Sequence, residues 1–158
     1  MQQPPDIEIF NMLVWDIVRQ DPYGKVTTYG QIASMLPCPA GVDPADYEKL
    51  APRWVGNAMN AVSGVSGKEE PSIPWHRVIN SKGGISLSPE LRAGIEQRAR
   101  LKAEGVILNA KEQVDFRVVG WQGPDVSWRE AQGFLPPRPL VAEEPPPDED
   151  KPQQLSLF

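Results

Sequence analysis

Proline placement limits this chain more than any other feature. Eighteen of its 158 residues are proline, and each fixes φ and removes a backbone donor. Seven of them fall between Pro136 and Pro152, so the packed part of the chain has to precede that stretch. Acid gathers in the same place: Glu143, Glu144, Asp148, Glu149 and Asp150 stand against one base, Lys151. The chain as a whole carries a formal charge of −5. Setting aside the −4 of residues 139–158 leaves −1 for residues 1–138, so the acidity describes a tail as much as a domain. Before its last residues that segment has little apolar surface to repay ordering, and it reads as a disordered tail.

The apolar content, 40%, suffices for a core, and the length suits one domain with a remainder. We divide the chain into a domain over 6–121, a peripheral extension over 122–138 and the tail over 139–158. One cysteine, Cys38, and one histidine, His76, argue against a disulfide framework, a cysteine-rich zinc site and a histidine metal centre. No cofactor and no metal are expected. Apolar runs fall short of the ~20 residues of a membrane span, and the opening MQQPPDIEIF lacks a basic segment followed by an apolar one. The expectation is a cytoplasmic monomer, nucleoid-associated if bacterial, with no membrane partner.

Periodicity then places the elements. Phe10, Leu13, Val14 and Ile17 recur at helical spacing in a helix over 7–19. Residues 21–24 (DPYG) make a turn and 25–27 a short extended piece. Thr28-x-x-Gln31 fits a capping box opening a helix over 29–36. Asp43-Pro44 suits a cap and first residue for a helix over 45–50, with a further helix from about Pro52 to Ala61. Together these resemble a helix-turn-helix with an enlarged turn. A loop is expected over 63–72, and a hairpin with 73–79 as one strand, 80–84 as turn and 85–87 as return. Ser88-Pro89 reads as the start of a helix whose stripe is Leu91, Ile95, Ala99 and Lys102, stopped by Gly105. Residues 106–108 look like a strand. For 114–121 the pattern leaves strand and irregular structure open.

The run Pro74-Trp75-His76-Arg77-Val78-Ile79 resembles the Pro-Cys-His-Arg-Val active-site motif of the O6-alkylguanine-DNA alkyltransferases, with Trp75 where the acceptor cysteine belongs. That replacement marks the alkyltransferase-like proteins. Two further blocks in the same order strengthen the resemblance: 23–33 (YGKVTTYGQIA) is similar to the family's first helix-turn-helix segment, and 53–59 (RWVGNAM) to its recognition helix. Two departures stand out. The insertion over 37–50 predicts a splayed helix pair or a lid, and Val62 stands where the family has an asparagine. The family's N-terminal domain has no counterpart in the matched region. The resemblance implies an α/β fold: a mostly helical domain of the alkyltransferase C-terminal type with a helix-turn-helix and a small β-hairpin, followed by the disordered tail.

It also implies roles. Tyr29 would press on the target phosphate, Arg53 would fill the gap in the base stack, Gly56 would admit close approach to the minor groove, and Asn60 would reach phosphate. Met59, Trp75, Val78 and Ser88 would line the lesion pocket. His76 and Glu104 would keep the hydrogen bond that, in the enzymes, serves the thiol. An indole offers one N–H donor and no usable nucleophile, so alkyl transfer at position 75 is chemically excluded. The implied function is recognition and flipping of O6-alkylguanine in duplex DNA without repair, and handover to nucleotide excision repair proteins. Two rivals stay open, an alkyltransferase acting through Cys38 and a plain helix-turn-helix regulator. For Trp75 the competing reading is a core tryptophan; for His76, with no thiol to activate, the favoured role is structural, a brace bonded to Glu104. The last residues, with Gln154, Leu155, Leu157 and Phe158, resemble the peptide with which bacterial repair proteins dock on the sliding clamp.

Overall fold

The computed structural model describes residues 3–64 and 73–141. The expected loop over 63–72 falls largely outside them. The tail from Ala142 on, with Gln154, Leu155, Leu157 and Phe158, falls wholly outside. Helices hold about half of the described residues. The first, α1 (Ile7–Val18), is capped by Asp6, whose carboxylate accepts from the Ile9 N–H. Its buried stripe is Phe10, Val14, Ile17 and Val18, with Leu13 partly covered.

Strand β1 (Thr27–Thr28) leads into α2 (Tyr29–Met35), where the Thr28 hydroxyl accepts from the Gln31 N–H. The reciprocal half of the capping box is not formed. Gln31 is buried, its amide donating to the carbonyls of Trp121 and Arg138 and its oxygen accepting from the Thr27 hydroxyl. A buried amide needs several partners, and the C-terminal segment supplies two of them.

The two helices expected over 45–50 and 52–61 are one helix, α3 (Pro44–Gly64), with Pro52 in its interior. Asp43 caps it, accepting from the Ala45 and Asp46 N–H groups. An interior proline costs about 3 kcal/mol. Burial on both sides offsets that, because Tyr47 and Ala51 before it and Trp54, Val55 and Ala58 after it join the same core. Tyr47 packs against Trp54 at 5.9 Å between ring centroids and donates its hydroxyl to the Leu36 carbonyl. The part of the insertion from Pro44 on thus extends the second helix of the pair backwards, where Tyr47 and Ala51 pack into the main core instead of standing off it as a lid. Helix α1 is tied on by the Trp15 indole N–H, which donates to the Ala58 carbonyl.

Trp75–Arg77 make one 3-10 turn and Val78–Ile79 form β2. The expected hairpin does not form: β2 pairs in parallel with β1, Thr27 opposite Val78 and Thr28 opposite Ile79. Residues 80–84 do turn, but the Asn80 side chain accepts from the Lys82 and Gly84 N–H groups, and Gly84 bridges to Gln113 instead of leading a return strand. Val78 and Ile79 are almost fully buried, the setting in which parallel pairs occur.

Ser88-Pro89 does not begin the next helix. It closes a separate turn, with the Leu91 N–H on the Ser88 carbonyl and the Glu90 N–H on its hydroxyl, and α4 (Arg92–Ala103) starts three residues later. The expected stripe has the right period and the wrong face. Leu91 and Ile95 are 54% and 56% exposed, whereas Gly94, Gln97 and Leu101 are buried. Gly105, at φ +84, ends α4 as expected, with Val106 N–H bonded to the Leu101 carbonyl and Gly105 N–H to that of Lys102. Residues 106–108 form no strand; Val106 joins Val26, Ile79, Leu101 and Val114 in a second core cluster. The stretch 114–121 contains the short α5 (Phe116–Val119), and Gly120 bridges to Val26. Beyond it α6 (Val126–Ala131) precedes Phe134, which is buried in the main core against Trp128.

Candidate nucleic-acid interface

Where α2, α3 and the Trp75 turn meet, the chain leaves a cavity of about 400 Å³. The β1–β2 ladder sets it there: pairing Thr28 with Ile79 brings the Trp75 turn alongside Tyr29, the first residue of α2. Of the expected site residues, Tyr29, Arg53, Gly56, Met59, Asn60, Trp75 and Val78 line the cavity. Ser88 is not brought into it, because its hydroxyl is engaged with Glu90, and Ser86 and Leu87 occupy that wall. Pro52, Asn57, Ala93 and Gln97 also line it, and no local pattern in the sequence marked them.

Arg53, Gly56 and Asn60 stand three and four residues apart on α3 and therefore share a face. Arg53 and Asn60 are exposed, Met59 is buried, and Gly56 lies against Tyr29. Tyr29 is half-buried. Burial raises its hydroxyl pKa, opposed by a hydrogen bond with the Ser86 side chain. Trp75 packs partly on the main core, with the His76 ring edge-on at 6.4 Å and the Arg100 guanidinium 5.4 Å from its ring centroid. A cation in that position is attracted to the indole face.

Behind the tryptophan lies a charged cluster. His76 Nε2 is 2.7 Å from Glu104 Oε2, and Arg77 donates to both oxygens of the same carboxylate at 2.8 to 3.1 Å. The Gly24 N–H also donates to Glu104, at 2.8 Å. Burial pushes the Glu104 pKa up, but Arg77, Gly24 and His76 together outweigh it and hold the carboxyl at about 2. Burial lowers the His76 pKa, with Glu104 opposing, so near neutral pH the imidazole is uncharged and Nε2 carries the proton it gives to Glu104. Nδ1 is buried and has no hydrogen-bond partner among the described residues. Gln97 braces the backbone of the motif, donating to the carbonyls of His76 and Val78.

Sequence reasoning gave no role to Asp21. Its backbone carbonyl accepts from Arg77, while both carboxyl oxygens are buried without a partner among the described residues. Burial pushes that carboxyl up to about 9, against the nearby Arg77 charge. Cys38 is exposed in the segment before α3, its thiol donating to the Val42 carbonyl at 3.2 Å, and it does not line the cavity.

Residues 9–106 match the family model for the 6-O-methylguanine DNA methyltransferase DNA-binding domain. The chain is 41% identical over 121 residues to alkyltransferase-like protein 1 of Schizosaccharomyces pombe, covering 76% of this chain and 94% of that one. It is 36% identical over 113 residues to a DNA base-flipping protein of Escherichia coli, covering 71% and 74%. The crystal structure of S. pombe Atl1 in complex with damaged DNA containing O6-carboxymethylguanine superposes with a TM-score of 0.51 at 32% identity, over 72% of this chain and 95% of that one. A second S. pombe complex with DNA gives 0.52 at 31%. The mostly helical body, the short sheet and the matched blocks all agree: the chain belongs to the family of the 6-O-methylguanine DNA methyltransferase DNA-binding domain, as one of its alkyltransferase-like members.

Proposed function

We propose that this chain binds O6-alkylguanine in duplex DNA, rotates the base into the cavity beside Trp75, and performs no alkyl transfer. The carrying observation is that one cavity holds both Tyr29 and Arg53 at its rim and Trp75 in its wall, with no thiol lining it. Unstacking a base costs a few kcal/mol. A guanidinium that stacks in the gap and donates to the orphaned cytosine offsets part of that cost. Arg53, exposed on α3 and free of any ion pair to a described residue, is the side chain for that role. Tyr29 presses on the target phosphate, Gly56 admits the strand, Asn60 reaches phosphate, and Met59, Trp75 and Val78 enclose the base. Ser88 acts only by holding the Ser86–Leu87 wall in place. His76 and Glu104 remain as a brace, the reaction they served having lost its nucleophile.

Handover to nucleotide excision repair follows from this reading, since a flipped, unrepaired base needs an excising partner. The C-terminal Gln154, Leu155, Leu157 and Phe158 are the clamp-docking peptide of the same proposal. Its test is a titration of purified sliding clamp with the full chain and with a chain ending at Gln153; equal binding by both would remove it. We place the protein in the cytoplasm or nucleoid as a monomer, and among its described residues no helix is long and apolar enough to cross a membrane.

The deciding experiment compares matched duplexes carrying guanine and O6-methylguanine. Wild type should prefer the lesion, and Trp75→Ala should erode that preference by ~1–3 kcal/mol, the value of stacking one base. Arg53→Ala should reduce extrusion, read by 2-aminopurine fluorescence beside the lesion. Equal losses on both duplexes would return Trp75 to the core, and a labelled methyl group recovered on the protein, lost again in Cys38→Ser, would make the chain an enzyme.

A further inference from the structure

Arg138 lies beyond the residues that match the family domain, 9–106, yet it stands beside the DNA-facing helix. Its backbone is fastened to α2 on both sides. The Arg138 N–H donates to the Ser34 hydroxyl at 2.9 Å, and its carbonyl accepts from Gln31 Nε2 at 3.1 Å. The guanidinium is thereby delivered to Gly30, with Nη1 3.7 Å from the point a β-carbon there would occupy. Gly30, Ser81 and Arg138 border a hollow of about 100 Å³. A hollow of that size admits a phosphate group. Arg138 and Ser81 are exposed, and the guanidinium has no ion pair with a described residue.

We infer that Arg138, with the Ser81 hydroxyl and the bare backbone at Gly30, binds a DNA backbone phosphate next to the one met by Tyr29. The inference rests on the DNA reading above. Tyr29 lines the lesion cavity and its neighbour Gly30 lines this hollow, so adjacent residues of α2 face both sites. A strand held at Tyr29 passes its neighbouring phosphate over Gly30, where the missing side chain lets it approach. An arginine on an anchored backbone presents a planar fork of donors suited to phosphate oxygens. Such a contact fixes the position of the duplex and carries no sequence or lesion information. The segment after the family domain therefore contributes a cation to the interface and explains the two hydrogen bonds that bind it to α2.

The test is a fluorescence-anisotropy titration of wild type, Arg138→Ala and Arg138→Lys with matched guanine and O6-methylguanine duplexes at several salt concentrations. The contacts that anchor residue 138 are made by its backbone, so Arg138→Ala should keep the wild-type melting temperature. It should weaken both duplexes by the same factor and make the slope of log affinity against log salt less negative by about 0.9, the loss of one phosphate contact. Arg138→Lys should recover most of the slope. A scan of neutral methylphosphonate linkages around the lesion should find one position that weakens wild type and leaves Arg138→Ala unchanged. A wild-type slope retained by Arg138→Ala overturns the inference while leaving lesion recognition intact. An effect confined to the O6-methylguanine duplex also overturns it, making Arg138 a lesion contact. Failure of wild type to bind either duplex overturns the parent reading and this one with it.

Discussion

At position 75 an indole lines a cavity beside a histidine that still holds its carboxylate. That replacement was legible because it sits in a motif whose chemistry fails without a thiol. Asp21 was not legible, since DPYG reads as an ordinary turn and only the fold sets Arg77 and Glu104 beside it. Its carboxyl gives a pH dependence of known sign. Burial pushes the Asp21 carboxyl up to about 9 in the folded chain, from the ordinary 3.8. The stability this contributes is full below 3.8 and is lost as pH rises through about 9. Glu104 acts elsewhere, its contribution being present above 4.5 and lost as pH falls toward about 2. His76, lowered from 6.5, changes stability only as pH falls below that value. Asp21→Asn should therefore flatten the decline in unfolding free energy over roughly pH 7 to 9. Urea unfolding at each pH reads it; an Asn variant that declines as steeply as wild type would show the carboxyl ionised in the folded state.

Among the elements, those governed by local chemistry were read correctly: the α1 stripe, the Thr28 and Asp43 caps, and the glycine stop at Gly105. Those decided by tertiary packing were not. Pro52 signals a break, but aromatic burial on either side keeps α3 whole. The hairpin failed because Thr27–Thr28 took the partner place beside Val78–Ile79. The apolar side chains of α4 pointed to the wrong face because its contact runs through Gly94, where a β-carbon would lie 2.1 Å from the Ser88 carbonyl. Seven of the eight expected DNA and lesion residues line the cavity; Ser88 does not, its hydroxyl being engaged with Glu90. Alanine for glycine ordinarily stabilises a helix by about 0.5–1 kcal/mol. Gly94→Ala should do the reverse, by roughly 1–3 kcal/mol as for overpacking, since backbone must move. The displaced 86–88 segment should also weaken lesion binding. Thermal unfolding and duplex titration together check this, and a stabilised variant with unchanged binding would show the close approach is not maintained.

For the whole molecule, charge is divided in a way that bears on DNA. Residues 1–138 carry −1 in sum, and the five acids over 143–150 supply most of the total −5. If Arg53 and Arg138 meet DNA as proposed, they do so on a chain whose excess negative charge is carried in sequence C-terminal to Val141. Removing residues 142–158 takes away five acids and Lys151 and brings the net charge to −1. Each side chain named in the cavity and the Gly30 hollow remains. Long-range charge acts chiefly on the encounter rate and is screened over about 8 Å at physiological ionic strength. A chain ending at Val141 should therefore associate faster with duplex DNA at low salt, by roughly the tenfold at the low end of electrostatic steering. Its dissociation rate and its preference for O6-methylguanine over guanine should be unchanged. Stopped-flow association across a salt series separates the two effects. If the shortened chain gains equally at high and low salt, the tail competes for the site by contact and charge repulsion is not its mode of action. If it gains nothing, the acidic segment does not reach the field of the bound duplex.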